Sequence, residues 1–254
     1  MPQYAALVEY DGTAYYGFQR QRREQPTIQS EIEQALYKIR QKPGAITGAG
    51  RTDSGVHALG QVISFSIDDW PHGATALQRA LNANLPVDIV IYQLKPVSSS
   101  FHPRFDARRR AYVYKIYPAA VRSPTRRLNS WHVRKRLDVN NMKQAARQLV
   151  GIHDFATFGQ PPQGNKTVRE VYTARWQQQG EYLEFYIEAN AFLYRMVRSI
   201  VGSMKLVGDG TWTVDEFAAA LQAKDRSFAG KTAPPQGLYL VSVTYEHVEL
   251  GEMV

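Results

Sequence analysis

Apolar and polar positions divide the chain into short alternating elements. Tyr4–Tyr10 is an apolar, β-prone run ended by Asp11-Gly12, which predicts a strand and a turn. Gln19–Gln25 is a polar, arginine-rich loop. Thr27 opens a helix whose Ile28, Ile32, Ala35, Leu36 and Ile39 share one face, and Pro43-Gly44 stops it. Ala45–Ala49 is a short strand. Leu59–Ile67 is a longer one, its Ile63, Phe65 and Ile67 alternating with Ser64 and Ser66. A helix over Thr75–Asn82 closes before Pro86, and Val87–Leu94 is the next strand. The order β-α-β-β-α-β is the ferredoxin-like split arrangement.

The remaining pattern runs in nearly the same order. Ala111–Tyr117 is a strand of alternating aromatics. Asp138 has the chemistry of an N-cap for a helix reaching Val150, with Gly151 just past its end. Gly159–Lys166 is a loop rich in Gly, Pro and Gln. Val168–Gln177 and Tyr182–Ala189 form a hairpin around Gly180. Helices over Phe192–Val207 and Val214–Ala223 follow, and Leu238–Glu246 is the last strand. The expected fold class is therefore α+β. It has two related ferredoxin-like (βαββαβ) halves with largely antiparallel sheets and a cleft between them, at residues 1–103 and 104–254.

Composition narrows the chemistry. The 254 residues include no cysteine, which excludes disulfides, cysteine-ligated zinc, iron–sulfur clusters and a thiolate nucleophile. The first residues carry no basic, apolar leader, and no run of about 18 apolar residues occurs, so a cytoplasmic protein is expected. The net charge of +8 is concentrated. From Arg104 to Arg136 there are eleven basic residues and one acid, Asp106, so this segment is +10 and the rest is −2. A basic stripe with interleaved aromatics on a near-neutral body points to a polyanion such as nucleic acid. Its bland alternative is a solvated basic face.

One stretch concentrates reactive types: Gly48-Ala49-Gly50-Arg51-Thr52-Asp53-Ser54-Gly55-Val56-His57-Ala58. It lacks the Gly-Lys-Ser/Thr ending of a phosphate loop, the third glycine of a dinucleotide fingerprint and the spacing of a nucleophile elbow around Ser54. The six histidines are scattered, so no metal is expected. What remains is a carboxylate in a glycine-shaped loop beside an arginine. Asp53 is open to three roles: nucleophile, general base or turn residue. Arg51 would keep a buried aspartate ionised, and His57 suits a hydrogen-bonded anchor of the loop.

GAGRTDSGVHA closely resembles the active-site segment of the TruA family, the tRNA pseudouridine synthases acting on the anticodon stem-loop. Further resemblances are EYDGTAYYGFQRQ (Glu9–Gln21), FHPRFDARRRAYVY (Phe101–Tyr114), GIHDFATF (Gly151–Phe158), FLYRMVRSIVGSM (Phe192–Met204) and TAPPQGLYL (Thr232–Leu240). Six blocks in register are more specific than any one. Local departures are Ala111, where a basic residue is frequent, and Arg108 and Arg109, where smaller residues are usual. The resemblance implies isomerisation of uridine to pseudouridine at tRNA positions 38, 39 and 40 by a homodimer without a cofactor. It implies that Asp53 is the catalytic aspartate, that Arg51 fills the space left by the flipped base and that Arg198 pairs with the aspartate. It also implies that Tyr112 stacks on the base and Leu238 lies beneath it. The basic stripe supplies Arg104, Arg108, Arg109 and Arg110 as candidate RNA contacts. By periodicity alone, Arg198 reads as a solvated arginine and Tyr112 as a core residue. The alternatives are a non-catalytic RNA-binding protein, a synthase with another RNA target, and a phosphate-ester enzyme using the loop as an anion nest.

Overall fold

The structure, a computed structural model, describes residues 2–21, 25–68, 70–161, 164–248 and 250. Parts of the two polar loops, residues 22–24 and 162–163, lie outside them. Two compact units emerge: Met1–Arg108 with Tyr239–Val254, and Arg109–Leu238.

The first unit opens with β1 (Gln3–Tyr10), α1 (Ile28–Arg40), β2 (Thr47–Gly48), β3 (His57–Ser66), α2 (Gly73–Asn82) and β4 (Ile89–Val97). β1 pairs antiparallel with β3 and β4, and β2 pairs antiparallel with β3. The resulting order, β4-β1-β3-β2, is that of the split arrangement. Thr27 caps α1 as its chemistry demands: its side chain accepts from the Ser30 amide while the Ser30 hydroxyl accepts from the Thr27 amide. Ile28, Ile32, Ala35 and Leu36 are buried along one stripe. The helix stops at Gln41, which turns left-handed (φ 54°) two residues before Pro43. β3 is covered on both faces, so Ser64 is buried with its apolar neighbours.

The second unit contains β5 (Arg109–Pro118), β6 (Trp131–Val133), α3 (Val139–Arg147), β7 (Gly151–Asp154), β8 (Val168–Gln179), β9 (Tyr182–Ala189), α4 (Met196–Gly208) and α5 (Val214–Ala223). Its sheet runs β5-β9-β8-β7 with antiparallel neighbours, and β6 lies parallel to β5. β6 and β7 are too short to leave a periodic signature in the sequence. Asp138 caps α3 by accepting from the Asn141 amide at 3.0 Å. α3 nevertheless ends at Arg147, and Gly151 (φ 110°) begins β7 rather than closing the helix. α4 starts four residues later than its apolar pattern suggests. Tyr194 is held extended by a bridge to Gln160, and Arg195 is left-handed (φ 61°).

The last strand, β10 (Leu238–Thr244), follows the second unit in sequence but pairs parallel with β3, Tyr239 opposite His57 and Leu240 opposite Ala58. Parallel pairing between such distant segments has no local sequence signal. The α+β class and the largely antiparallel sheets agree with the sequence pattern. No described helix is long and apolar enough to cross a membrane.

Candidate active site

The Gly48–Ala58 loop leaves β2 and enters β3, and contacts from two sides hold it. On one side is the turn after β1. Gly12 lies so close to the loop that a Cβ there would meet the Val56 carbonyl oxygen at 2.0 Å. The Phe18 amide donates to the Thr52 carbonyl at 3.1 Å, and the Ser54 hydroxyl donates to the Tyr15 carbonyl at 3.1 Å. On the other side is β3 itself: the Gln61 amide, fully buried, donates to the Gly50 carbonyl at 3.0 Å. Thr52 is buried and its hydroxyl lies 2.7 Å from the Tyr10 hydroxyl. Gly55 takes φ 75° and closes the turn in which the Val56 amide donates to the Asp53 carbonyl. Thr52 and Val56 are thus buried. Asp53 stays half-buried and Arg51 exposed.

His57 is the anchor its position suggested. It is buried and stacks on Tyr239 at 4.7 Å, and its Nδ1 faces both the Gly12 amide (3.2 Å) and Asp11 Oδ1 (3.0 Å). One nitrogen cannot serve both at once: without a hydrogen, Nδ1 accepts from the Gly12 amide; carrying one, it donates to Asp11. Burial pushes the Asp11 carboxyl up, but the Thr13 hydroxyl and amide and then His57 bring it below the usual range. Tyr15 donates to Asp88 at 2.5 Å; burial and then this carboxylate push the phenol up. None of Tyr10, Asp11, Tyr15, Phe18, Gln61 and Tyr239 was singled out individually in the sequence. The motifs EYDGTAYYGFQRQ and TAPPQGLYL carried all but Gln61.

The other candidates belong to the second unit. Tyr112, on β5, is buried with Phe192 edge-on at 4.9 Å. Leu238 is buried at the start of β10, just after a tight Pro235–Gly237 turn. Arg198 departs from its periodic reading: it is half-buried, not solvated. The segment before β10 lies across α4 so closely that a Cβ on Gly202 would meet the Lys231 carbonyl oxygen at 1.9 Å. There Arg198 Nε donates to the Ala233 carbonyl at 2.8 Å and the Ala233 amide donates back to the Arg198 carbonyl at 3.0 Å.

The basic stripe is partly neutralised within each unit. Arg108 pairs with Glu246 at 2.6 Å in the first unit. In the second, Arg109 pairs with Glu188 at 2.9 Å over the Tyr172 ring, Arg126 pairs with Glu181, and Arg110 donates to the Asn190 carbonyl at 3.1 Å. Arg104 is half-buried with its guanidinium 5.8 Å from the Phe105 ring. No group of three or more His, Asp or Glu with metal-binding geometry occurs among the described residues.

The profile of the tRNA pseudouridine synthase family matches residues 6–106 and 145–246, covering the candidate loop and the α4 segment. The chain belongs to that family. It is an isomerase acting on tRNA. A protein named tRNA pseudouridine synthase A from Thermoanaerobacter sp. (strain X514) is 43% identical over 240 residues, covering 94% of this chain and 98% of that one. One of the same name from Aeromonas hydrophila is 45% identical over 246 residues, covering 96% and 90%. A chain of a solved Cbf5-Nop10-Gar1 complex aligns with 93% of this chain and 57% of its own, at a TM-score of 0.36 and 13% identity.

Proposed function

We propose that this synthase acts on uridines 38, 39 and 40 of tRNA, in the anticodon stem-loop, with Asp53 as its catalytic carboxylate. The observation that carries the reading is the Gly48–Ala58 loop. Its sequence resembles that of the anticodon-loop synthases, its backbone is clamped from two sides, and its single carboxylate is left partly open.

The reaction breaks the N1–C1′ bond, turns the base and forms the C5–C1′ bond; C5 loses its proton and N1 gains one, so the product is an isomer of the substrate. It has no redox step and no group donor. The target base is stacked in the RNA and must be flipped out. Asp53 serves as nucleophile or base, and carboxylate attack at a glycosidic carbon has precedent in sugar chemistry. Exposed Arg51 fills the vacated space. Tyr112, its ring set by Phe192, stacks on the base above Leu238. Arg198, oriented by Ala233, is assigned to the catalytic carboxylate. These roles rest on the resemblance, as do the homodimer and the cytoplasmic location.

Asp53→Asn tests the reading. Asn keeps the shape but is neither an anionic nucleophile nor a useful base. The variant should bind tRNA and melt within about a few degrees of wild type, while pseudouridine at 38–40, read by mass spectrometry, falls by a factor on the order of 10³ or more. A folded variant with near wild-type turnover would sink the assignment. A turn aspartate would instead cost stability and spare turnover.

A further inference from the structure

The start of α4 gathers positive charge beyond Arg198. Arg195 is the left-handed residue that precedes the helix, and its guanidinium lies 4.9 Å from the ring of Tyr194, which is 49% exposed. The Tyr194 amide donates to the Gln160 carbonyl at 2.8 Å. Arg226 comes from the short turn Arg226–Phe228 after α5. Its Nη1 donates to the Thr157 carbonyl at 3.1 Å and its Nη2 to the Thr232 hydroxyl at 2.9 Å. Thr157 and Gln160 belong to one short stretch. Thr232 immediately precedes Ala233, the residue clamped to Arg198. Arg226 therefore bridges the stretch bonded to Tyr194, the neighbour of Arg195, and the segment clamped to Arg198.

Among the described residues, neither Arg195 nor Arg226 enters an ion pair. The carboxylate next to Arg226, Asp225, instead accepts from the Ser227 amide and hydroxyl, both at 2.9 Å. Burial, and after it the charge of Arg195, push the Arg226 guanidinium below its ordinary range. Two like charges carried on these linked segments, neither paired with a carboxylate, repel each other, and an anion with several acceptor oxygens reverses that cost. The amino end of α4 adds a dipole of the same sign. A phosphodiester fits this chemistry, and its flanking nucleotides could meet the exposed Tyr194 ring.

We propose that Arg195 and Arg226 hold a backbone phosphate of the tRNA next to the nucleotide that Arg198 serves, an assignment that rests on the anticodon-arm reading above. The test measures tRNA binding by the full chain as salt is varied. Arg195→Gln should raise Kd and reduce the slope of log K against log salt by about 0.7–0.9, one phosphate contact. Arg147→Gln, which removes the same charge from the exposed side of α3, is the reference. Arg195→Lys should restore most of the slope. Arg195→Gly, free to take φ 61° without strain, should repeat the Gln result and guards against misfolding. Slopes equal to that of Arg147→Gln in the Gln and Gly variants would overturn the proposal. Pseudouridine mapped in parallel with the wild-type protein keeps the two readings separate: product at 38–40 with an unchanged slope refutes only the phosphate site. No product at 38–40 refutes the anticodon-arm reading.

Discussion

At the scale of single residues, the loop before β3 works by close approach. Gly12 has no room for a methyl group, because the Val56 carbonyl already fills the space. Gly12→Ala should force the two loops apart, cost about 1–3 kcal/mol by overpacking and lower turnover even where the protein stays folded. A thermal melt beside single-turnover kinetics checks it. Exposed Arg51 carries no such structural burden. Arg51→Ala should keep the melting temperature and some tRNA binding but lose most turnover. A 2-aminopurine reporter at the target site should show less unstacking. Normal unstacking with lost activity would assign Arg51 to electrostatic support of Asp53 instead.

At the scale of elements, α4 is secured at both ends by contacts outside its own sequence pattern. At its carboxyl end, Asp209 takes Lys205 Nζ at 2.5 Å and the Thr211 hydroxyl and amide at 2.6 and 3.1 Å. Burial raises the Asp209 carboxyl, but these donors and the Lys205 charge more than offset it and hold the group below its usual value. A depressed carboxylate stabilises the fold fully above the unfolded pKa and loses that contribution as pH falls through the folded one. Asp209→Asn should therefore cost about 1–2 kcal/mol near neutral pH. The gap to wild type should shrink as pH drops below about 4. Denaturant melts of both proteins between roughly pH 3 and pH 7 would show it; a gap that stays constant with pH would exclude this ionic contribution.

At the scale of the whole molecule, the +10 segment is divided between the two units, and Arg108, Arg109 and Arg126 already have carboxylate partners. Exposed ion pairs are weak and salt-screened, so Arg108 and Arg109 can exchange Glu246 and Glu188 for phosphates. Replacing Arg108, Arg109 and Arg110 together by Gln should raise Kd for tRNA and flatten its salt dependence. An unchanged slope would leave these arginines to the protein's own ion pairs.

The sequence by itself determined the alternation of strands and helices in the first unit, the caps at Thr27 and Asp138, and the position of the loop carrying Arg51 and Asp53. Each depends on neighbours within a few residues, where periodicity and capping chemistry operate. Tertiary structure decided the rest. Arg198 lies on a polar stripe of α4, yet a segment 35 residues later in the chain covers it and binds its side chain. β10 leaves the second unit to pair with β3, and Gln61, an ordinary polar strand residue in sequence, becomes a buried clamp on Gly50. The physical reason is common to all three. Hydrogen bonds and close backbone contacts between distant segments depend on which surfaces the fold brings together, and local periodicity does not encode that information.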